Sequence, residues 1–274
     1  MTLSKLRKPC VSGRFYPKNA QEIKKMIAGF IEGGKGAKTK ATGCLLPHAG
    51  YIYSGKVAVK AVSQLDIPEK IILLGPNHTG SGPAFSIMCE GLWETPLGEV
   101  NIDSGLSRLL LNESKYLKDD SSAHAQEHSL EVELPILQYF SKGFEIVPIT
   151  LMPERLNILR EIGIGIADTI KNHNYSDKVL LLASSDMTHY ESEEDAKVKD
   201  KIAIDAILAL DEGRLMEVVD KFHISMCGCA PVAVMLSCAK VLGATKGSLA
   251  MYQSSAEANG DKASVVGYAG IIIN

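Results

Sequence analysis

Several features that would place a protein in a specialised class are missing from this chain of 274 residues. No stretch approaches the ~20 consecutive apolar residues that a membrane span requires, so no membrane association is expected. Charge of one sign is not in surplus: 29 Lys and Arg stand against 32 Asp and Glu, a formal charge of −3. Without a basic excess to neutralise phosphates, nucleic-acid binding is not expected either. The chain has no internal repeat and no low-complexity tract. Neither G-x-G-x-x-G after a strand nor G-x-x-x-x-G-K-[ST] occurs, which removes the usual dinucleotide and nucleotide phosphate loops. No G-x-S-x-G elbow occurs, so a serine hydrolase has no support.

Hydrophobic residues make up 46% of the chain and charged ones 22%, enough apolar surface to offset the entropy of ordering. The first residues contain no apolar h-region, so no secretory signal is expected. The six cysteines, Cys10, Cys44, Cys89, Cys227, Cys229 and Cys238, are scattered rather than dense, which suits reduced thiols in a cytoplasm better than a disulfide scaffold.

Short apolar runs alternate with segments of helical period. Strands are expected over 43–46, 70–74, 84–88, 145–150, 179–183, 248–253 and 264–273. Helices are expected over 20–32, 55–65, 104–112, 128–140, 153–172, 191–210, 213–222 and 231–242, with a surface loop over 33–42. Strands separated by helices of this length imply an α/β fold: one domain spanning 1–274, with a mostly parallel or mixed central sheet flanked by helices.

Three of the seven histidines follow expected strands closely, where open α/β sheets bind ligands. Leu46 runs into Pro47-His48-Ala49-Gly50-Tyr51, Leu74 into Gly75-Pro76-Asn77-His78, and Ala183 into Ser184-Ser185-Asp186-Met187-Thr188-His189. His48 and His78 suit metal ligation, since imidazole is a common donor needing rigid placement; each equally suits a turn bonding a backbone carbonyl. Asp186 and His189 form a D-x-x-H pair in which a carboxylate can orient an imidazole that moves protons, or Asp186 caps the next helix. Cys227 and Cys229 precede a helix with Pro231 in its first turn, and a thiol there is expected to have a lowered pKa. His124-Ala125-Gln126-Glu127-His128 spells H-x-x-E-H, readable as a zinc-peptidase motif with Glu127 as base, or as a capping turn with acids on a helix dipole. Asn77 and Lys56 suit an anionic group, although Ser54-Gly55 reads as an ordinary cap.

Taken in order, Ser12-Gly13-Arg14-Phe15-Tyr16-Pro17, Pro47-His48-Ala49-Gly50-Tyr51, Leu74-Gly75-Pro76-Asn77-His78, Glu127-His128-Ser129-Leu130-Glu131, Ser184-Ser185-Asp186 with His189-Tyr190, Cys227-Gly228 with Pro231, and Tyr252-Gln253-Ser254-Ser255 resemble the motifs of the Memo family (mediator of cell motility; AmmeMemoRadiSam system protein B). The resemblance spans nearly the whole chain. It implies a fold like that of the class III extradiol ring-cleavage dioxygenases and one metal ion, iron or copper with zinc also admissible, held by His48, His78 and Cys227. It further implies that His189, Asp186 and His128 are pocket residues in catalytic positions. A thiolate in place of the dioxygenases' carboxylate softens the donor set, so ring cleavage is an analogy of fold. Cys229 and Ala230 stand where animal members carry arginine and histidine, which offers a second thiol to the metal or a Cys227–Cys229 redox event. The resemblance also implies either a metal-dependent oxidoreductase acting beside Tyr51 and Tyr53 or a non-catalytic module holding a peptide or small molecule. Its expected partners are a radical SAM enzyme and a companion small domain.

Overall fold

The computed structural model describes residues 6–31 and 38–274. Residues 33–37 of the expected surface loop, and the last residue of the helix expected over 20–32, lie outside the described residues. In chain order the first elements are β1 (Leu6–Arg7), α1 (Ala20–Phe30), β2 (Gly43–Leu46), α2 (Tyr51–Val62), β3 (Lys70–Pro76), β4 (Phe85–Ile87), β5 (Leu92–Thr95) and β6 (Gly98–Asn101). There follow α3 (Ser104–Glu113), β7 (Lys118–Asp119), α4 (Ser122–Ala125), α5 (Glu133–Phe140), β8 (Glu145–Leu151), α6 (Leu156–Asn172) and β9 (Val179–Ser184). The chain closes with β10 (His189–Glu191), α7 (Glu193–Leu208), α8 (Glu212–Lys221), α9 (Cys229–Val241), β11 (Gly247–Ser254), α10 (Ala256–Asn259) and β12 (Val265–Ile273).

Nine strands form the main sheet in the order β10-β12-β2-β9-β3-β8-β4-β7, with β11 also paired to β12. The middle, β2-β9-β3-β8, is parallel throughout, and β12 and β4 join it antiparallel. The sheet is therefore mixed and doubly covered, as the alternation of strands and helices requires. Side chains of successive strand residues leave on opposite faces. Leu45, Ile72, Leu74, Val147, Leu181 and Ala183 pack on one side with α3, α6, α7, α8 and α9. Cys44, Leu46, Ile71, Leu73, Leu180 and Leu182 pack on the other with α1, α2 and α5. Each buried Leu or Ile contributes roughly 1.5–3 kcal/mol. A second sheet, β1-β5-β6, carries the buried Trp93.

Several helix starts differ from expectation, among them α6 at Leu156 rather than at 153, and three of the differences lie at the site. α2 begins at Tyr51 rather than at 55, and α9 at Cys229 rather than at 231. α5 begins at Glu133 rather than at 128. Pro135 explains the last: it lacks an N–H and its ring clashes with the carbonyl four residues back, so regular helix cannot run far ahead of it. Residues 129–132 form turns instead, with 127 and 128 outside any regular element, and that difference matters for the site.

Candidate metal centre

β2, β9 and β3 are adjacent and parallel, so their carboxyl ends open onto one edge. The loop after β2 carries His48, the loop after β3 carries His78, and the loop after β9 carries Asp186. Cys227 arrives from elsewhere, on the segment just ahead of α9. Gly228 allows that arrival: a Cβ there would stand 2.3 Å from the Ser184 carbonyl oxygen and 2.4 Å from Ser185 Cβ. Gly75 does the same for the 127–130 segment, where a Cβ would lie 2.6 Å from Leu130 Cδ2.

The result is a cluster of three imidazoles and a thiol. The His48 and His78 ring centroids are 5.2 Å apart, His48 and His128 5.5 Å, and His78 and His128 4.8 Å, the last pair stacked. Cys227 Sγ lies 3.3 Å from His48 Nε2. One donor atom each from His48, His78 and Cys227 lies within 4.8 Å of the other two. Bonds of about 2.0 Å to nitrogen and 2.3 Å to sulfur at a tetrahedral angle place the two donors about 3.5 Å apart. The His48–Cys227 spacing fits that distance.

Both imidazoles are oriented from behind. His48 Nδ1 is 2.7 Å from Ser184 Oγ, which leaves Nε2 facing the thiol. His78 Nδ1 is 2.9 Å from Glu127 Oε1, and the backbone N–H of His78 donates to Glu127 Oε2 at 2.5 Å. Such outer partners set the tautomer and aim of a ligating histidine. Burial, with His128 and His78 beside it, holds the His48 imidazole well below its usual pKa and therefore neutral. Glu127 stays ionised at about 2: the N–H groups of His78 and Ser129 and the neighbouring imidazoles outweigh its burial.

Cys227 departs from expectation. Its thiol is pushed up to about 12 by burial and then by the Asp186 carboxylate, which together overcome the backbone N–H of Asp186 donating to sulfur at 3.3 Å. The net shift is upward, opposite to that expected of a thiol just ahead of a helix. Cys229 is the first residue of α9, and its sulfur lies 3.3 Å from Met216 Sδ of α8.

Asp186 and His189 are not hydrogen-bonded to each other as their spacing suggested. Asp186 Oδ1 accepts the backbone N–H of His48 at 2.9 Å, and burial pushes the carboxyl up to about 7. His189 is held by Ser225 instead, through its backbone N–H to Ser225 Oγ at 2.7 Å and Nδ1 to the Ser225 carbonyl at 2.9 Å. Tyr51 lines no entrance: it is buried, and its hydroxyl donates to the Val132 carbonyl at 2.7 Å. Asn77 bonds Thr79, Gly80 and Ser81 and so builds its own loop.

The H-x-x-E-H motif separates. α4 ends at Ala125, so His124 and His128 do not share a helical face. His124 is fully buried near Trp93, whereas His128 and Glu127 sit with His78. A zinc peptidase built on His124 and His128 has no geometric basis. Of the neighbouring acids, Glu133 lies in the first turn of α5, whereas Glu131 precedes that helix and is bound elsewhere. Glu131 is buried, taking Arg7 Nη1 at 2.6 Å, Tyr16 Oη at 2.6 Å and the backbone N–H groups of Cys10 and Val11 at 2.8 and 3.1 Å. Glu133 is buried beside Ser184.

Comparison with known proteins follows the same lines. The family described as Memo-like protein matches residues 7–272. The chain belongs to the Memo family. A MEMO1 family protein of Methanopyrus kandleri is 39% identical to this Memo protein over 97% of this chain and 98% of its own. Another, from Aquifex aeolicus, is 40% identical over 98% and 99%. An uncharacterized protein of Escherichia coli K12 has a similar fold, with a TM-score of 0.58 at 12% identity, covering 85% of this chain and all of that one. Among the described residues no helix of this Memo protein is long and apolar enough to cross a membrane.

Ser225 and Glu133 were not singled out from sequence, and Ser184 was named only within a motif, without its role as the partner of His48. Ser184 had a signal, as the polar residue that follows the apolar run 179–183 and ends a central strand. Ser225 had none, lying 36 residues from the histidine it holds.

Proposed function

We propose that this Memo protein binds one metal ion through His48, His78 and Cys227 and acts as a metal-dependent oxidoreductase on a small molecule. The observation that carries this reading is the 3.3 Å between His48 Nε2 and Cys227 Sγ, two donors from separate elements at the spacing a shared ion imposes, beside a third donor aimed by Glu127. Two nitrogens and one sulfur favour iron or copper and admit zinc. Iron or copper held by these three residues would supply electron-transfer chemistry.

The chain's own groups divide the remaining work. His128, stacked on His78 and edge-on to Phe15 at 4.8 Å, forms the polar wall that meets the substrate. His189, its Nδ1 occupied by the Ser225 carbonyl, keeps Nε2 for holding or passing a proton. Asp186 acts through the backbone, fixing the turn that presents His48.

The test is elemental analysis of protein purified anaerobically without a metal-binding tag. Near-stoichiometric iron or copper, lost in His48→Ala and Cys227→Ser, is expected. Metal-free protein that cannot be reloaded sinks the reading and leaves a pocket that holds a peptide or small ligand without chemistry.

A further inference from the structure

Three groups converge on the Ser184 hydroxyl. His48 Nδ1 lies 2.7 Å from Oγ, the Ser129 carbonyl oxygen 2.8 Å, and Glu133 Oε1 2.9 Å. A hydroxyl has one proton to give and two lone pairs to offer. The Ser129 carbonyl can only accept. If Glu133 were ionised it too could only accept, and one of the two oxygens would face Ser184 lone pair to lone pair at under 3 Å. One assignment satisfies all three contacts: Ser184 donates to Ser129, while His48 Nδ1–H and a protonated Glu133 both donate to Ser184.

The surroundings agree. Glu133 is fully buried, and its Oε2 has no hydrogen-bond partner. The charged group acting on it is Asp186, of the same sign, so burial and that neighbour raise its pKa well above the ordinary carboxylate range. Tyr51 and Cys44, the other titratable groups near it, have their own ionisation opposed by burial. An ionised carboxylate would be left there without a counter-charge, the costliest kind of buried group.

We infer that Glu133 is a protonated positioning residue: by donating to Ser184 instead of competing for its proton, it leaves that hydroxyl to serve the Ser129 carbonyl and to accept from His48, which then carries its proton on Nδ1 and its lone pair on Nε2. This deepens the metal reading above and rests on it for its purpose. Glu127 orients His78 as a carboxylate that accepts, whereas Glu133 orients His48 through a serine as an acid that donates. The two imidazoles of the centre are thus aimed by acids in opposite protonation states.

The first measurement needs no metal. Infrared spectra at pH 8 of protein labelled with carbon-13 in the glutamate side chains are expected to show a label-sensitive protonated-carboxyl band that disappears in Glu133→Gln. The label separates it from the raised aspartates Asp186 and Asp200. Absence of that band overturns the inference. In ring-labelled histidine, nitrogen-15 spectra of the metal-free protein are expected to show His48 as the Nδ1–H tautomer in the natural protein and in Glu133→Gln, whose amide still donates. Glu133→Met, similar in bulk and unable to donate, is expected to give a tautomer mixture and about 10-fold weaker metal binding or worse. A His48 tautomer and metal affinity unchanged in a folded Glu133→Met protein also overturn it. If the natural protein takes up no metal, the metal reading fails while the tautomer measurement still decides this one.

Discussion

Cys227 Sγ and His48 Nε2 are 3.3 Å apart although 179 positions separate the two residues. The contact exists because Gly228 lets the segment before α9 lie directly on the end of β9. In Gly228→Ala the new Cβ, 2.3 Å from the Ser184 carbonyl oxygen, has backbone rather than a flexible side chain to displace. A loss of about 1–3 kcal/mol is expected, with metal affinity lowered at least as far as in Cys227→Ser. Gly165→Ala is the control: nothing lies within 4 Å of its Cβ, and it sits inside α6. A gain of about 0.5–1 kcal/mol is expected there. Denaturant midpoints and metal titrations on the two variants check both signs.

Acid sensitivity has an identifiable source in His124. Burial and then Arg7 lower its pKa from the usual 6.5 to about 4. Between those two values the unfolded chain binds the proton and the folded one does not, so stability is full above about 6.5 and falls as pH drops toward 4. From pH 7.5 to pH 5 this one group is expected to remove about 2 kcal/mol. His124→Leu should flatten that part of the curve, as read by urea unfolding at the two pH values. Equal slopes in the two proteins would place the sensitivity elsewhere.

The central fold was legible because its strands are continuous apolar runs. β2, β3, β8 and β9 are buried on both faces, and such strands stand out from any helix by length and flanking turns. The rim position of His48 and His78 followed from strand direction alone. What was not legible depends on contacts far apart in sequence. Residues 128–132 look like a charged helix N-terminus, yet Glu131 belongs to Arg7 and Tyr16, more than a hundred residues earlier. The D-x-x-H spacing suggests a pair, but the chain turns into β10 between the two, and Ser225 takes the imidazole. The small sheet escaped notice because β1 is two residues long and β5 and β6 are only half apolar.

Glu131 fastens the N-terminal segment to the stretch that carries Glu127 and His128. Five donors meet its two oxygens, among them the Cys10 thiol and the Arg7 guanidinium, the latter with both partners buried. Glu131→Gln removes the counter-charge and turns an amide N–H toward donors it cannot accept from. Breaking a buried pair in this way costs about 3–5 kcal/mol, to be read as a fall in the denaturant midpoint at pH 7. A cost below about 1 kcal/mol would show that the segment is held by its packing alone.

Glu127→Gln distinguishes the proposed centre from a peptidase reading of the same stretch. Glu127 takes the His78 ring N–H at 2.9 Å through one oxygen and the His78 backbone N–H at 2.5 Å through the other, with Ser129 N–H also on the first. The amide keeps the shape but has only one acceptor, so either the ring or the backbone of His78 meets an N–H it repels. The imidazole then loses both its fixed tautomer and the basicity that a carboxylate partner lends it. If His78 is a ligand, metal affinity falls about 10- to 100-fold, while His48, held independently by Ser184, keeps its tautomer. If Glu127 were instead the general base of a site on His124 and His128, the variant would retain its metal and lose only turnover. Metal titration of Glu127→Gln beside the natural protein separates the two, and unchanged affinity would remove His78 from the donor set.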